Sequence, residues 1–332
     1  MAGKMRFGII AFAHIHAWSY ARVLKELEEA ELVAIYDDDP ERLKEAAQKF
    51  NVKDTYSDYH ALLKRDDIDA VIITSENAKH VDQAIAAAEA GKHMIVEKPI
   101  ATTLEDADKM VNAAKKAGVK FQTAFVMRYH DATATIKQVL ERGEIGEILV
   151  ITTTNHGKYP DLWFGDPELA GGGSVMDHTV HTADLMRWYT KDEVEEVYAV
   201  SGKNIRDYLT VEDTGLISLK FKKGVIGSID CSWSRPSTWP IWGDVWLGII
   251  GTEGYIVVDA FRPNVDLVKE GERLQWVYFG SDCDKNMIAD FIRVVREDEE
   301  PRASGWDGRQ ALEITLAAYK SIKENKVVKL PL

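Results

Sequence analysis

The 332-residue sequence predicts a doubly wound parallel α/β sheet over 1–125, followed by an α+β domain with a large, mostly antiparallel open sheet over 126–332. Three observations carry this expectation. Up to about residue 125, short apolar runs alternate with segments of helical spacing, the mark of strand–helix–strand repetition with right-handed crossovers. From about residue 190, short strands dominate, separated by turn signals such as Lys223-Gly224 and Glu253-Gly254. The length suits about two domains of ~150 residues each, and 45% hydrophobic content is ample for two cores.

Within the first part, residues 6–11 form a short apolar run that reads as a fully buried strand. Residues 18–29 place Tyr20, Val23, Leu24 and Leu27 at helical spacing. A second strand is predicted over 31–36, and a helix over 40–50 with Asp39 as N-cap and Pro40 at its first position. A third strand spans 69–74, an Ala-rich helix 81–90 stops at Gly91, and a fourth strand covers 93–96. A helix over 104–117 ends at Gly118, and 120–124 is the fifth strand.

Beyond residue 125 the pattern predicts helices at 133–142 and 175–189, with an alternating strand at 147–154 between them. Strands follow at 195–201, 214–220, 225–231, 245–251 and 255–259. Closing helices are predicted at 284–296 and 307–324, the last a candidate to pack back toward the first domain.

Net charge is 41 − 54 = −13, which argues against nucleic acid or an anionic membrane as partner. The apolar run 7–13 is too short to span a bilayer. Cys231 and Cys283 have no metal-ligand or redox spacing and read as two free buried thiols in a reducing cytoplasm. Met1 and Met5 offer two possible starts, so the first five residues are set aside from the fold reading.

The turn after the first strand, Ala11-Phe12-Ala13-His14-Ile15-His16, stands where a dinucleotide-binding fingerprint has glycines at 11, 13 and 16. Ala, Ala and His occupy those places. The two alanines still permit fairly close backbone approach, at the cost of glycine's left-handed freedom. The turn residues Ala11, Phe12, Ala13, His14 and Ile15 are the expected cofactor cradle, and His16 is a departure that adds bulk. Asp37 ends the second strand 21 residues after His16, the spacing of an acid that accepts hydrogen bonds from the adenosine ribose. A carboxylate there repels a 2′-phosphate, so NAD is expected over NADP, with Arg42 able to soften the preference. Thr74, Asn77 and His80 follow the third strand at the carboxyl edge and are further cofactor candidates.

Two polar stations remain. Glu97-Lys98-Pro99 follows the fourth strand; Lys98 is a candidate proton-handling group, and Glu97 a contact for the nicotinamide ribose. Asp177, His181 and Asp184, after Gly171-Gly172-Gly173, share one helix face by spacings of four and three. Arg128 and Tyr129, just past the fifth strand, and His156 and Trp163 in the second domain are candidate substrate contacts. Trp239 and Trp242, also in second-domain loops, offer flat faces for a ligand ring, and His178 reads as a neighbour of the site.

Taken together, these stretches resemble the glucose-fructose oxidoreductase / inositol dehydrogenase / MocA family over nearly the whole chain. The likeness rests on Ala90-Gly91-Lys92-His93 through Glu97-Lys98-Pro99, on Gly143-Glu144-Ile145-Gly146, and on Gly171-Gly172-Gly173-x3-Asp177-x3-His181-x2-Asp184. It continues through Gly251-Thr252-Glu253-Gly254 and Ala317-Ala318-Tyr319-Lys320-Ser321. The resemblance implies a Rossmann-like first domain and hydride transfer between NAD(P) and a hydroxyl or keto carbon of a sugar, polyol or related compound. It places the catalytic lysine at Lys98 and the catalytic aspartate and histidine at Asp177 and His181. It also implies a homodimer or homotetramer built through the open sheet.

On this reading His181 moves the hydroxyl proton, Lys98 stabilises charge on the reacting oxygen, Asp177 holds the substrate or the imidazole, and Asp184 orients His181. No metal is expected. The alternatives are NAD-cycling glycoside hydrolysis on the same fold, a ligand-sensing regulator, and a metal-dependent hydrolase barrel using His14 and His16, with Asp177, His178 and His181 as further ligands.

Overall fold

The computed structural model describes residues 3–262, 264–269 and 274–332; Met1 and Ala2 of the opening segment lie outside it. The chain begins with β1 (Met5–Ile10), α1 (His16–Glu26), β2 (Ala30–Tyr36), α2 (Pro40–Phe50), β3 (Asp54–Tyr56) and α3 (Tyr59–Leu63). It continues with β4 (Ala70–Ile73), α4 (His80–Glu89), β5 (His93–Val96), α5 (Leu104–Ala117) and β6 (Phe121–Thr123). The six strands are all parallel, in the order β3-β2-β1-β4-β5-β6. Chain direction of the winding reverses between β1 and β4, and ligands in such sheets bind outside the carboxyl ends of the strands at that switch point.

Local chemistry explains most of these bounds. The Asp39 carboxylate accepts the Glu41 and Arg42 N–H groups and so caps α2, and Thr103 caps α5 through the Asp106 N–H. Gly118 closes α5 at φ 69°, a left-handed conformation that glycine adopts freely. Helix α1 starts at His16, ahead of the expected 18, and stops at Glu26 because Leu27 turns extended. Strand β3 and helix α3 escaped the sequence reading. Asp54-Thr55-Tyr56 has no apolar alternation, and α3 is little more than one turn, fixed by burial of Leu62 and Leu63.

The second part contains α6 (Asp131–Glu141), β7 (Ile148–Lys158), α7 (Pro167–Ala170), α8 (Ser174–Thr190) and β8 (Val194–Ser201). Then come β9 (Thr214–Phe221), β10 (Ile226–Arg235), β11 (Gly243–Gly251), β12 (Tyr255–Asp259), β13 (Asn264–Leu267) and β14 (Gln275–Tyr278). The chain closes with α9 (Cys283–Glu297), α10 (Gly305–Glu324) and β15 (Val328–Lys329). Seven strands form one sheet, β12-β11-β7-β10-β9-β8-β15, antiparallel except for the parallel β7–β10 pair. Helix α8 packs on one face, against β7, β9 and β10. The opposite face carries the register row Gly248, Thr152, Ser228, Ser218 and Tyr198. Strand β7 runs four residues past the expected end at 154, because the polar residues there pair with β10 and β11 as the apolar ones do. The exposed hairpin β13–β14 was not expected.

Two compact units result: Met1–Tyr129 with Asp282–Arg309, and His130–Ser281 with Gln310–Leu332. The segment that joins the first unit therefore includes α9, which the sequence assigned to the second domain. Its Met287, Ile288, Phe291 and Ile292 complete the core around Phe7, Ile9 and Leu24. Both cysteines are free thiols, Cys231 buried and Cys283 half-buried. Among the described residues no helix is long and apolar enough to cross a membrane.

Candidate active site

In the first unit, the turn from β1 to α1 is tied to both neighbouring strand ends. Ala11 sits at φ 69°, the left-handed conformation that the first fingerprint glycine would supply. Its N–H donates to the Tyr36 carbonyl at 2.8 Å, and its carbonyl accepts the Thr74 hydroxyl at 2.6 Å. The Phe12 N–H donates to Asp37 Oδ2 at 2.7 Å, and the His14 N–H to the Thr74 carbonyl at 2.9 Å.

Asp37 is where the spacing put it, at the carboxyl end of β2, but its carboxylate is already engaged. Besides the Phe12 N–H it accepts the Asp39 N–H at 2.8 Å and both arms of Arg42, Nε at 2.8 Å and Nη2 at 2.7 Å. Four donors use the acceptor capacity of a carboxylate. Asp37 thus braces the cradle. The more exposed carboxylate at this corner is Asp38, which Lys79 meets at 2.6 Å and Arg42 at 3.1 Å. Burial opposes ionisation of Asp38, and the Lys79 hydrogen bond and charge outweigh it, so the carboxyl stays below its ordinary range.

The loops after β4 and β5 are fastened to each other. His80 is buried with Nδ1 3.1 Å from the Pro99 carbonyl and Nε2 3.1 Å from the Ser75 carbonyl, which makes it a scaffold tie. Asn77 is buried at the head of a short 3-10 turn, Asn77–Lys79. Glu97 is fully buried and accepts the Tyr20 hydroxyl at 2.5 Å, the Lys98 N–H at 3.0 Å and His16 Nδ1 at 3.0 Å. Burial pushes its carboxyl up, but His14 and His16 more than compensate and hold it well below the usual range. Lys98 is itself buried.

Arg128 and Tyr129 also belong to this unit and are engaged within it. Arg128 binds the Arg302 carbonyl and reaches Asp307 at 3.1 Å, while the Tyr129 hydroxyl donates to Gln122 at 3.0 Å. The sequence could not show the Arg128 partners, which lie far along the chain.

In the second unit, α8 carries Asp177, His178, His181 and Asp184, all buried. Asp177 Oδ2 accepts the Trp233 indole N–H at 3.0 Å and lies 3.2 Å from His178 Nε2. His178 Nδ1 lies 2.8 Å from the Asn155 carbonyl. Tyr159 packs on Trp233 at 5.0 Å between centroids, and Trp242 meets the His178 ring at 6.4 Å. His178 and Trp233 are thus the neighbours of Asp177; the sequence placed His178 beside it, whereas Trp233 comes from a distant strand. Trp163 stacks on Phe164 at 4.1 Å, and Trp239 contacts Trp276.

His156 does not join this cluster. Residues alternate along β7, so Asn155 faces α8 and His156 the opposite side of the sheet, where Asp230 and Asp244 meet its two ring nitrogens. Its candidacy as a substrate contact rested on residue type and ignored that parity.

The helix start is set by Gly172 and Gly173. A Cβ on Gly172 would lie 2.0 Å from the Tyr319 hydroxyl, and one on Gly173 1.9 Å from the Glu212 carbonyl oxygen. Glycine lets both groups come in and satisfy the first N–H donors of α8.

Residues 5–125 match the profile described as oxidoreductase family, NAD-binding Rossmann fold, and residues 133–257 the GFO/IDH/MocA C-terminal domain. The chain belongs to the GFO/IDH/MocA oxidoreductase family. It is similar to a myo-inositol 2-dehydrogenase of Thermotoga maritima, 33% identical over 98% of each chain. Among solved structures it is similar to a probable dehydrogenase from Thermotoga maritima, with 32% identity, TM-score 0.86 and 98% of each chain covered. A levoglucosan dehydrogenase in complex with NADH and L-sorbose is 27% identical, with TM-score 0.85 over 99% of this chain and 100% of that one.

For a GFO/IDH/MocA oxidoreductase the β1–α1 turn fits a nicotinamide dinucleotide, since Ala11 adopts the left-handed turn without a glycine. The same turn fits a metal poorly. His14, His16 and Glu97 do bring three ligand atoms within 4.8 Å of one another. However, His14 Nδ1 accepts the His16 N–H at 3.2 Å, so a neutral His14 carries its proton on Nε2, the atom that faces Glu97. Coordination through that nitrogen would require its loss. The open seven-stranded sheet also excludes the barrel that the metal-hydrolase alternative needed.

Proposed function

We propose that this oxidoreductase transfers a hydride between NAD and a hydroxyl-bearing carbon of a sugar, polyol or related compound. When bound, the nicotinamide ring supplies the hydride acceptor. Lys98 hydrogen-bonds the reacting oxygen and stabilises the negative charge that develops there. His181 takes the hydroxyl proton in oxidation and returns it in reduction, a role suited to an imidazole near neutral pH. Asp177, held by the Trp233 indole, fixes a neighbouring substrate hydroxyl, and Asp184 orients His181.

The observation that carries this reading is the buried Asp177–His178 pair beside the rings of Trp233, Tyr159 and Trp242. Carboxylate and imidazole suit hydroxyl groups, and flat aromatic faces suit the C–H faces of a sugar or cyclitol ring. NAD is favoured over NADP because two carboxylates, Asp37 and Asp38, stand at the end of β2 and both engage Arg42, the nearby guanidinium that a 2′-phosphate would need.

A homo-oligomer built through the open sheet face fits the exposed Leu216, Ile226, Ile250, Tyr255 and Val257, and free thiols fit a cytoplasmic setting. The test is a panel of inositols, sugars and sugar acids assayed for NADH formation, with NADP run in parallel. NADH from at least one of these compounds is expected. Turnover with NADP alone would overturn the cofactor assignment, and silence across the panel the substrate class.

A further inference from the structure

In a dinucleotide fold the pyrophosphate rests at the start of the first helix, and fingerprint glycines let backbone N–H groups approach it. Here most of those donors are already used inside the turn. The Ala11 N–H goes to the Tyr36 carbonyl, the Phe12 N–H to Asp37 and the His14 N–H to the Thr74 carbonyl. The His16 N–H goes to His14 Nδ1 and the Ala17 N–H to the His14 carbonyl at 3.1 Å. The backbone that would cradle the phosphates is largely spent.

At the same place the chain carries an imidazole. His16 stands at the third fingerprint position as the first residue of α1. Its Nδ1 lies 3.0 Å from Glu97 Oε1, and its side chain keeps 33% of its surface exposed. The Glu97 carboxylate can only accept, so Nδ1 carries the proton and Nε2 is the ring atom left for a ligand. Glu97 also fixes the ring's orientation, and its own negative charge beside the turn would repel a dianionic pyrophosphate unless a cation offset it.

We propose that His16, oriented by Glu97, binds the pyrophosphate of the dinucleotide as an imidazolium, replacing the spent backbone donors and making cofactor affinity fall as pH rises. This rests on the NAD-dependent reading above. The groups facing His16 are consistent with a cation. Burial works against protonation, but Glu97 and, more weakly, Asp284 from α9 outweigh it, with Lys98 opposing, so the imidazole titrates above its ordinary value. His14 and Tyr20 complete its surroundings with ring contacts.

The experiment measures dissociation constants for NADH, ADP-ribose and adenosine from pH 6 to 9, by fluorescence and calorimetry, in the wild type, His16→Gly and His16→Arg. Wild-type affinity for ADP-ribose is expected to fall about tenfold across this range, the size of one charge-assisted hydrogen bond. His16→Gly should bind ADP-ribose weakly with no pH dependence. His16→Arg, a cation throughout, should keep the low-pH affinity at every pH. Adenosine, which lacks the phosphates, should bind all three alike. An ADP-ribose affinity and pH profile unchanged in both variants would overturn the role of His16 and leave the NAD reading standing. A wild type that binds neither NADH nor ADP-ribose at any pH would overturn both.

Discussion

The Tyr319 hydroxyl donates to Glu212 Oε1 at 2.8 Å and accepts the N–H groups of Gly173 and Met176, each at 3.1 Å. The phenol therefore shares with Glu212 the opening N–H donors of the helix that carries Asp177 and His181. Replacing Tyr319 with Phe leaves buried donors without that acceptor, at a cost of about 1–3 kcal/mol. The expected result is a melting temperature lower by roughly 2–10 °C and a reduced kcat, with the dissociation constant for NADH near wild type. A variant that melts with the wild type would show that the phenol does not hold the helix start.

Gly173→Ala addresses the same helix from the other side. The added methyl would sit 1.9 Å from the Glu212 carbonyl oxygen, a backbone atom that cannot rotate aside. Such an overlap displaces the helix start or the Glu212 segment, and about 3 kcal/mol of stability is expected to be lost. Urea unfolding checks this, and a midpoint unchanged from wild type would contradict the close packing described.

These two contacts show what could and could not be read from the sequence. The parallel sheet was legible because its signals are local: the Asp39 cap, the Gly118 stop and the apolar runs of β1, β4 and β5 each act within a few residues. The shared face of Asp177 and His181 was legible for the same reason, since helical period alone sets it. Tyr319 lies 146 residues from Gly173, and Trp233 lies 56 from Asp177, so no local period announces them. Helix α9 was assigned to the wrong unit because its apolar stripe says that it packs, but not on what. His156 failed for a different reason, since strand parity was available and chemical type was allowed to outrank it.

Spacing singles out Asp37 as a ribose contact, and the structure shows its carboxylate engaged by four protein donors. Its carboxylate holds the Phe12 N–H and the Arg42 guanidinium, so Asp37→Asn is expected to loosen the cofactor cradle. Breaking a pair of this kind costs about 3 kcal/mol when buried, and somewhat less here because Arg42 is 26% exposed. Denaturant unfolding should report that loss together with a weaker NADH affinity. Tighter NADPH binding with undiminished stability would instead assign Asp37 a direct part in ribose selection.

Lys98→Ala separates charge stabilisation from binding. If the ammonium stabilises charge on the reacting oxygen, kcat is expected to fall by about 10²-fold or more, while NADH affinity changes little. His181→Ala should lower kcat comparably and remove the pH limb that a neutral imidazole imposes on oxidation. Steady-state kinetics from pH 5 to 9 with the best substrate of the panel, alongside NADH titrations, give both readouts. An unchanged kcat for either variant removes that residue from the chemistry.

On the far side of the seven-stranded sheet, His156, Asp244, Asp230 and Arg235 form a charge cluster whose stability contribution depends on pH. Burial lowers the basicity of His156, but the Asp244 hydrogen bond and charge, with help from Asp230, raise it above its ordinary value. For Asp244, burial pushes the carboxyl up, but the hydrogen bonds and charges of His156 and Arg235 hold it well below the usual carboxylate range. A histidine more basic in the folded than in the unfolded state adds stability below its unfolded value of about 6.5 and loses that gain as pH rises through the folded value. An acid depressed from 3.8 contributes above that value and loses its share as pH falls below it. The wild type should therefore exceed His156→Gln most between about pH 4 and 6.5, by about 1–2 kcal/mol, and least near pH 9. Urea unfolding of both proteins at pH 6 and pH 9 measures the difference. A gap that is equal at the two pH values would mean that His156 contributes by packing rather than by charge.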